Sequence, residues 1–271
     1  MRAPVHGVSM DLDLTGKHAL VCGASQGIGR AAAHELALLG ADVTLLARRA
    51  GVLAQVRDAL PVVHDAQRHA LIAVDAGDTA TLRAKAEALV AGHPVHVLVN
   101  NGGGPPPGLL QDAGEEALLL AYRQHVLAAQ TLVGAVVPGM RRAGYGRIVN
   151  IVSTTVREPI ANLGVSNVTR GAMASWAKTL ANELAPLGIT VNNVLPGSTD
   201  TPRIAQIAAT RAEARGVPVE AMRTEMEAEI PMGRFGLPGE IAAAVAFLAS
   251  PAAAYITGTS LPVDGGRIRA I

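Results

Sequence analysis

Along this chain, short runs of crowded apolar residues alternate with longer stretches in which apolar side chains recur every three or four positions. The runs HALVCGA (18–24), ADVTLLARR (41–49), HALIAVDA (69–76), VHVLVNN (95–101), RIVNIVS (147–153), ITVNNVLPG (189–197) and SLPVDGG (260–266) are rich in β-branched residues and read as strands, apolar on both faces. Between them the period changes. Ile28, Ala32, Leu36 and Leu39 form one face of a helix, Arg30 and His34 the other, and Gly40 is a stop signal. The same alternation predicts helices over 51–60, 79–91 and 115–140, one beginning near Ser166, a helix–loop–helix within 201–232, and a last helix over 240–250 stopped by Pro251. Pro105, Pro106 and Pro107 cannot continue a helix and predict a loop that skirts a site mouth.

Strand–helix–strand repetition of this kind predicts an α/β fold, a Rossmann-like doubly wound parallel sheet of seven strands with helices on both faces. No linker of biased composition and no solenoid-length repeat interrupts it. The expected organisation is a flexible leader over 1–13 and a single domain over 14–271. Within it, 201–232, rich in Ala, Arg, Glu and Met, is a candidate lid over a substrate site.

Composition narrows the function classes. With 271 residues, 49% hydrophobic and 17% charged, the chain can bury a sizeable core. A net charge of +1 and only 2% aromatics leave neither the cationic stripe nor the stacking rings of a nucleic-acid binder. The longest apolar run, Ile241 to Ala249, is too short to span a bilayer. Met1 to Lys17 lacks the apolar centre of a signal peptide, and the single Cys22 rules out an internal disulfide, so a cytoplasmic setting is expected. Cys22 itself reads as a small core residue at a strand end.

The first strand runs into Gly23-Ala24-Ser25-Gln26-Gly27-Ile28-Gly29, directly ahead of an amphipathic helix. Free N–H groups and the helix dipole make such a turn an anion site, and glycines let a phosphate approach the backbone. The second strand ends in Ala47-Arg48-Arg49, where an acidic residue would bond a ribose 2′-OH and an arginine would accommodate a 2′-phosphate. The expected cofactor is therefore NADP(H) in preference to NAD(H). Asp75 and Asn100 close the third and fourth strands on the carboxyl edge of the sheet. Asp75 either bonds an adenine amino group or caps a turn; Asn100 either steadies the ribose side or pins the loop backbone.

A second polar constellation follows the fifth strand. Ser153 closes that strand, and Ser166 and Arg170, four apart, project from one face of the next helix. A loop folding back would bring Ser153 to face the pair. Arg157 and Glu158 lie in that loop, either overhanging the pocket or forming an exposed ion pair. Leu109, Leu110, Ile160 and Leu163 suggest either a partly apolar ligand or core packing.

Taken together, CGASQGIG, VDAGD, NNGG, GRIVNIVS, ITVNNVLPGSTDTP, GRFGLPGEIAAAVAFLAS and ITGTSLPVDGG resemble the short-chain dehydrogenase/reductase family from Leu14 to Gly266, in particular its 3-oxoacyl-carrier-protein reductase-like members. The resemblance implies phosphates on Gly23, Ser25, Gln26, Gly27, Ile28 and Gly29, and adenine near Asp75 and Ala76. It also implies the ribose near Asn100 and Gly102, and nicotinamide edged by Pro196, Gly197 and Thr199. A small-molecule carbonyl or alcohol substrate, a homotetramer or dimer, and no metal are implied as well. The family's catalytic set is an Asn, a Ser and a Tyr-xxx-Lys pair. By spacing, its counterparts here are His125, Ser153, Ser166 and Arg170, and only the Ser is retained. A serine hydroxyl is a far weaker acid than a phenol and is shorter by a ring. An arginine, with a pKa above about 12, binds anions without exchanging protons. Three readings follow: an NADP(H)-dependent oxidoreductase with a remodelled catalytic set, a non-catalytic dinucleotide- or ligand-binding sensor, or a lyase or isomerase without net redox. In the first, the proton comes from water, His125 or the substrate.

Overall fold

The computed structural model describes residues 10–270. Seven strands form one parallel sheet: β1 (His18–Cys22), β2 (Asp42–Ala47), β3 (His69–Ala73), β4 (Val97–Asn100), β5 (Gly146–Ile151), β6 (Ile189–Pro196) and β7 (Ser260–Val263), in the order β3-β2-β1-β4-β5-β6-β7. The order reverses between β1 and β4, and the crevice outside the carboxyl ends of the strands at such a reversal is where open α/β sheets bind ligands. The α/β, doubly wound expectation therefore holds. Of the expected 1–13 leader, residues 1–9 lie outside the described residues. The end of it is docked: the Asp11 carbonyl accepts from the Ala252 N–H at 2.9 Å, and Leu14 is fully buried.

Helices cover both faces because each central strand is buried on both sides. On one face, α1 (Gly27–Leu38), α2 (Ala50–Asp58) and α9 (Pro238–Ala249) pack with Leu20's neighbours Ala19 and Val21, and with Leu45 and Val99. On the other, α3 (Thr79–Gly92), α5 (Ala128–Ala143) and α6 (Gly164–Leu184) enclose Leu98, Ile148 and Val191. The pair α7 (Pro202–Arg215) and α8 (Val219–Ala228) keeps a separate apolar cluster of Ile204, Ala208, Met222, Met226 and Phe235.

The long helical stretch expected over 115–140 is helical throughout but not uniformly α. It consists of α4 (Glu115–Tyr122), a π-helical turn over Arg123–Leu127, and α5, which carries Pro138 inside it and runs on to Ala143. A π turn holds one residue more than its α counterpart, so it re-aims the side chains it contains. His125 sits inside it.

Polar residues inside the sheet form one chain of bonds. Asn100 Nδ2 donates to Asn150 Oδ1 (2.8 Å), Asn150 Nδ2 to Asn193 Oδ1 (3.0 Å), and Asn193 Nδ2 to Ser260 Oγ (3.0 Å). These four residues are register partners across β4, β5, β6 and β7. Each amide is satisfied by its neighbour, which is what permits Asn150 to be fully buried.

Candidate active site

A cleft of about 1150 Å³ opens along the carboxyl edge of the sheet, larger than the ~300–1000 Å³ of drug-sized pockets. Its first end is the turn between β1 and α1. Gly23 and Gly27 have φ of +60° and +56°, which this turn requires. The first intrahelical bond is that of the Arg30 N–H to Gln26 O. Among the described residues the N–H groups of Ser25, Gln26, Gly27, Ile28 and Gly29 have no acceptor, and Gln26 provides no side-chain cap. Five free N–H groups at the start of a helix that faces the cleft fit a diphosphate, which meets both the bare N–H groups and the dipole. Gly23, Ser25, Gln26, Gly27 and Ile28 line the cleft. Gly29 does not; a Cβ there would stand 2.4 Å from Gly23 O, so it is the close-packing glycine between α1 and β1.

Arg48 and Arg49 line the cleft past the end of β2, both exposed and neither paired with a carboxylate among the described residues. Arg49 Nη2 donates to Gln26 Oε1 at 3.3 Å, which ties the arginine pair to the glycine turn. Asp75 and Ala76 line the same wall; Asp75 Oδ1 accepts from the Gly77 N–H (2.8 Å) and leaves its second oxygen towards solvent. Asn100 is a correction. Its amide is spent inside the sheet on Asn150, and the cleft is lined by Asn101 instead. The reason is position: Asn100 is the last residue of β4 and bonds its register partner Asn150, whereas Asn101 lies just beyond the strand, beside the glycine turn. Asn101 Nδ2 reaches Cys22 O and Gly23 O, each at 3.3 Å, bracing the glycine turn. Gly102, Pro196, Gly197 and Thr199 all line the cleft. Cys22 is buried there too, and burial pushes its thiol up to about 12, so it is no nucleophile.

The second end of the cleft brings together Ser153, Ser166, Arg170 and His125. Ser153 follows β5, and its Oγ accepts from the Thr155 N–H at 3.2 Å, which leaves the hydroxyl hydrogen free to donate. Ser166 and Arg170 lie one turn apart on α6, Ser166 half-buried and Arg170 buried. Arg170 donates from Nη1 to Ile151 O (3.3 Å) and from Nη2 to Gly102 O (3.5 Å). Burial, then the charge of Arg203, lowers its pKa to about 10, so it stays protonated at neutral pH.

His125 does not titrate near neutrality. Burial, then the Arg170 charge, drives its pKa down to about 3, and Nε2 has no hydrogen-bond partner. Its ring packs where a Cβ on Gly102 would come within 3.2 Å of Cε1. It is a neutral imidazole supporting the Gly102 turn and has no proton to give as an imidazolium at pH 7. Its folded pKa lies below the unfolded value of ~6.5, so on acidification the unfolded chain takes up a proton that the native state refuses. Stability should fall from pH 6.5 towards pH 3 by as much as ~1.4 kcal/mol per unit from this group. A His125→Asn variant should show a shallower acid limb in urea titrations at each pH. An unchanged slope would show that His125 does not govern it.

In the segments after β4 and β5 the structure distinguishes alternatives that the sequence leaves open. Arg157 and Glu158 are not an ion pair: Arg157 Nη2 donates to Ser260 O (3.1 Å), and Glu158 Oε1 accepts from the N–H groups of Arg269 (2.8 Å) and Ala270 (2.9 Å). The loop is thereby strapped to the end of the chain. Leu109 and Leu110 are 51% and 46% exposed, so they are not core, and Leu109 lines the cleft with Ile160 and Leu163. Pro105, Pro106 and Pro107 form its rim. Arg203, Arg211 and Arg267, which the sequence reading passed over, also line it. Arg203 carried a local signal: it occupies the first turn of α7, where the helix dipole disfavours a cation.

Fold and cleft define a doubly wound α/β protein with an open cleft at the β1/β4 reversal. The model of the family described as enoyl-(acyl carrier protein) reductase matches residues 23–267, and the chain belongs to the short-chain dehydrogenase/reductase family of oxidoreductases. A Streptomyces virginiae relative named as a monensin polyketide synthase ketoacyl reductase is 35% identical, over 93% of this chain and 97% of its own length. The 3-oxoacyl-acyl-carrier-protein reductase FabG of Pseudomonas aeruginosa is also 35% identical, over 94% and 98%. The crystal structure of L-sorbose reductase from Gluconobacter frateurii, complexed with NADPH and L-sorbose, superposes with a TM-score of 0.89 at 30% identity, covering 96% of this chain and 100% of that one. Among the described residues no helix is long and apolar enough to cross a membrane, and no cluster of metal-ligating side chains occurs.

Proposed function

We propose that this protein is an NADP(H)-dependent oxidoreductase that interconverts a carbonyl and an alcohol with a non-standard catalytic set. The observation that carries the reading is the unpaired Arg48–Arg49 cation pair beside five free N–H groups, in one cleft with Ser153. The N–H groups of Ser25 to Ile28 would hold the diphosphate, Arg48 and Arg49 the 2′-phosphate, and Pro196, Gly197 and Thr199 would edge the nicotinamide. The bound dinucleotide supplies or accepts the hydride. Ser153 donates a hydrogen bond to the carbonyl oxygen. Ser166 and Arg170 stand at the places of the family's Tyr and Lys, one as a short polar floor and the other as a fixed cation. With His125 neutral, the proton comes from water. The stretch 201–232 acts as a lid, tied to the proline rim where Arg203 Nη2 donates to Pro105 O (3.0 Å).

Calorimetry should show NADPH binding tighter than NADH. Steady NADPH oxidation with a carbonyl substrate, lost in Ser153→Ala, completes the test. Absence of binding of either dinucleotide would reject the proposal. Binding without turnover on any carbonyl would favour the sensor reading, which the lack of a titrating donor supports. The arginine pair has its own consequence. Replacing Arg48 with Asp and Arg49 with Ala should weaken NADPH by about tenfold or more, the worth of a charge-assisted bond, and leave NADH unweakened. Equal losses for both would place the phosphate elsewhere.

A further inference from the structure

Among the described residues the cleft is lined by six arginines and three acidic residues, an excess of positive charge. Arg170 is 7% exposed, yet its guanidinium reaches only two main-chain carbonyls, at 3.3 and 3.5 Å, near the limit of hydrogen bonding. No carboxylate pairs with it among the described residues. Taking a cation out of water without an anion is strongly unfavourable. The charge nearest to it makes matters worse, because it is Arg203. Arg203 likewise has no carboxylate, and it opposes the dipole of α7 from its first turn. The two converge over Gly104. A Cβ on that residue would lie 3.9 Å from Nη2 of Arg170 and 3.9 Å from Nη2 of Arg203, so the two nitrogens are at most twice that distance apart. Of the acidic side chains on the cleft wall, Glu229 is engaged by Arg267 (3.2 Å) and Asp112 is exposed at the rim.

Each placement is unfavourable alone, and one bound anion relieves both. We propose that the space between Arg170 and Arg203 over Gly104 binds a carboxylate of the substrate, so that the preferred substrates are oxo acids and their hydroxy acids rather than neutral ketones. This rests on the reading of the cleft as a hydride-transfer site. A carboxylate suits the geometry because planar guanidinium forks bond its two oxygens in register. The diphosphate already has its own partners at the far end of the cleft, on the α1 turn. Arg170, by contrast, sits one helical turn from Ser166 and bonds the last residue of β5, Ile151, two residues before Ser153.

The test uses hexanoate, which cannot be reduced, with hexanamide as its neutral match, titrated into the NADPH-saturated full-length protein. Hexanoate should bind and hexanamide should bind at least tenfold more weakly, about the value of a hydrogen bond to a charged group. Arg203→Gln, a surface change that leaves the core intact, should weaken hexanoate by about tenfold while NADPH affinity holds. Arg170→Gln should act in the same direction. Equal binding of acid and amide overturns the proposal. So does an Arg203→Gln variant that loses NADPH and keeps hexanoate, since the pair would then serve the cofactor. Turnover separates this from the underlying reading. Reduction of 2-hexanone as efficient as that of 2-oxohexanoate refutes the carboxylate site and leaves hydride transfer standing. Hexanoate binding with no reduction of either compound supports the site and rejects hydride transfer.

Discussion

The double substitution Ser166→Tyr, Arg170→Lys should raise the reduction of neutral ketones by a hundredfold or more, within the ~10²–10⁴ that a positioned general acid contributes. The two positions are one turn apart on the wall of the cleft, so a tyrosine at the first and an ammonium at the second would be neighbours. A phenol with an unperturbed pKa of about 10 loses its proton more readily beside a cation. The lysine can then re-supply it, which the guanidinium now present cannot do. Steady-state NADPH oxidation with a panel of neutral ketones checks the result. NADPH binding as in the parent with no gain in turnover would show that more than the proton donor differs. Neither single substitution should reach the full gain, because each supplies only one member of the relay.

Asn150→Leu should lower unfolding stability by at least about 2 kcal/mol. Leucine keeps asparagine's branching but is the larger side chain, so overpacking at this fully buried position adds to the loss of polar partners. The change leaves two groups buried and unpaired, Asn100 Nδ2 and Asn193 Oδ1, each costing about 1–3 kcal/mol. Urea unfolding measures it, and a loss under 1 kcal/mol would show that water or rearranged amides take over the bonds.

Why some of this was legible in the sequence and some was not follows from how local each cause is. Strands buried on both faces announce themselves as apolar runs, and α1 as a three-to-four period after glycines, because burial and backbone freedom act residue by residue. The π turn at Arg123–Leu127 has no such mark: α and π differ by one residue per turn, and the choice is made by what the helix packs against. The exchange of roles between Asn100 and Asn101 turns on where β4 ends, which two adjacent asparagines leave ambiguous. Glu158 found main-chain N–H groups more than a hundred residues away, a partner that no spacing rule reaches. Arg203 was locally visible as a cation at the wrong end of a helix, but its meaning depended on Arg170 and Gly104 arriving at the same place.

The row of amides across β4 to β7 has a further consequence, for how the chain finds its pairing. In a sheet whose central strands are buried on both faces, an apolar pattern penalises a slip only weakly, since Val, Leu and Ile fit either face. A strand displaced by two residues would keep its apolar residues inside and its side chains on the same faces. It would not keep Asn100 opposite Asn150, Asn150 opposite Asn193, and Asn193 opposite Ser260. Any misalignment strands at least one buried amide, so these four side chains act as a key that admits one alignment. The carboxyl ends of those strands carry Asn101, Ser153 and Pro196, and the same key therefore sets how the two ends of the cleft are spaced.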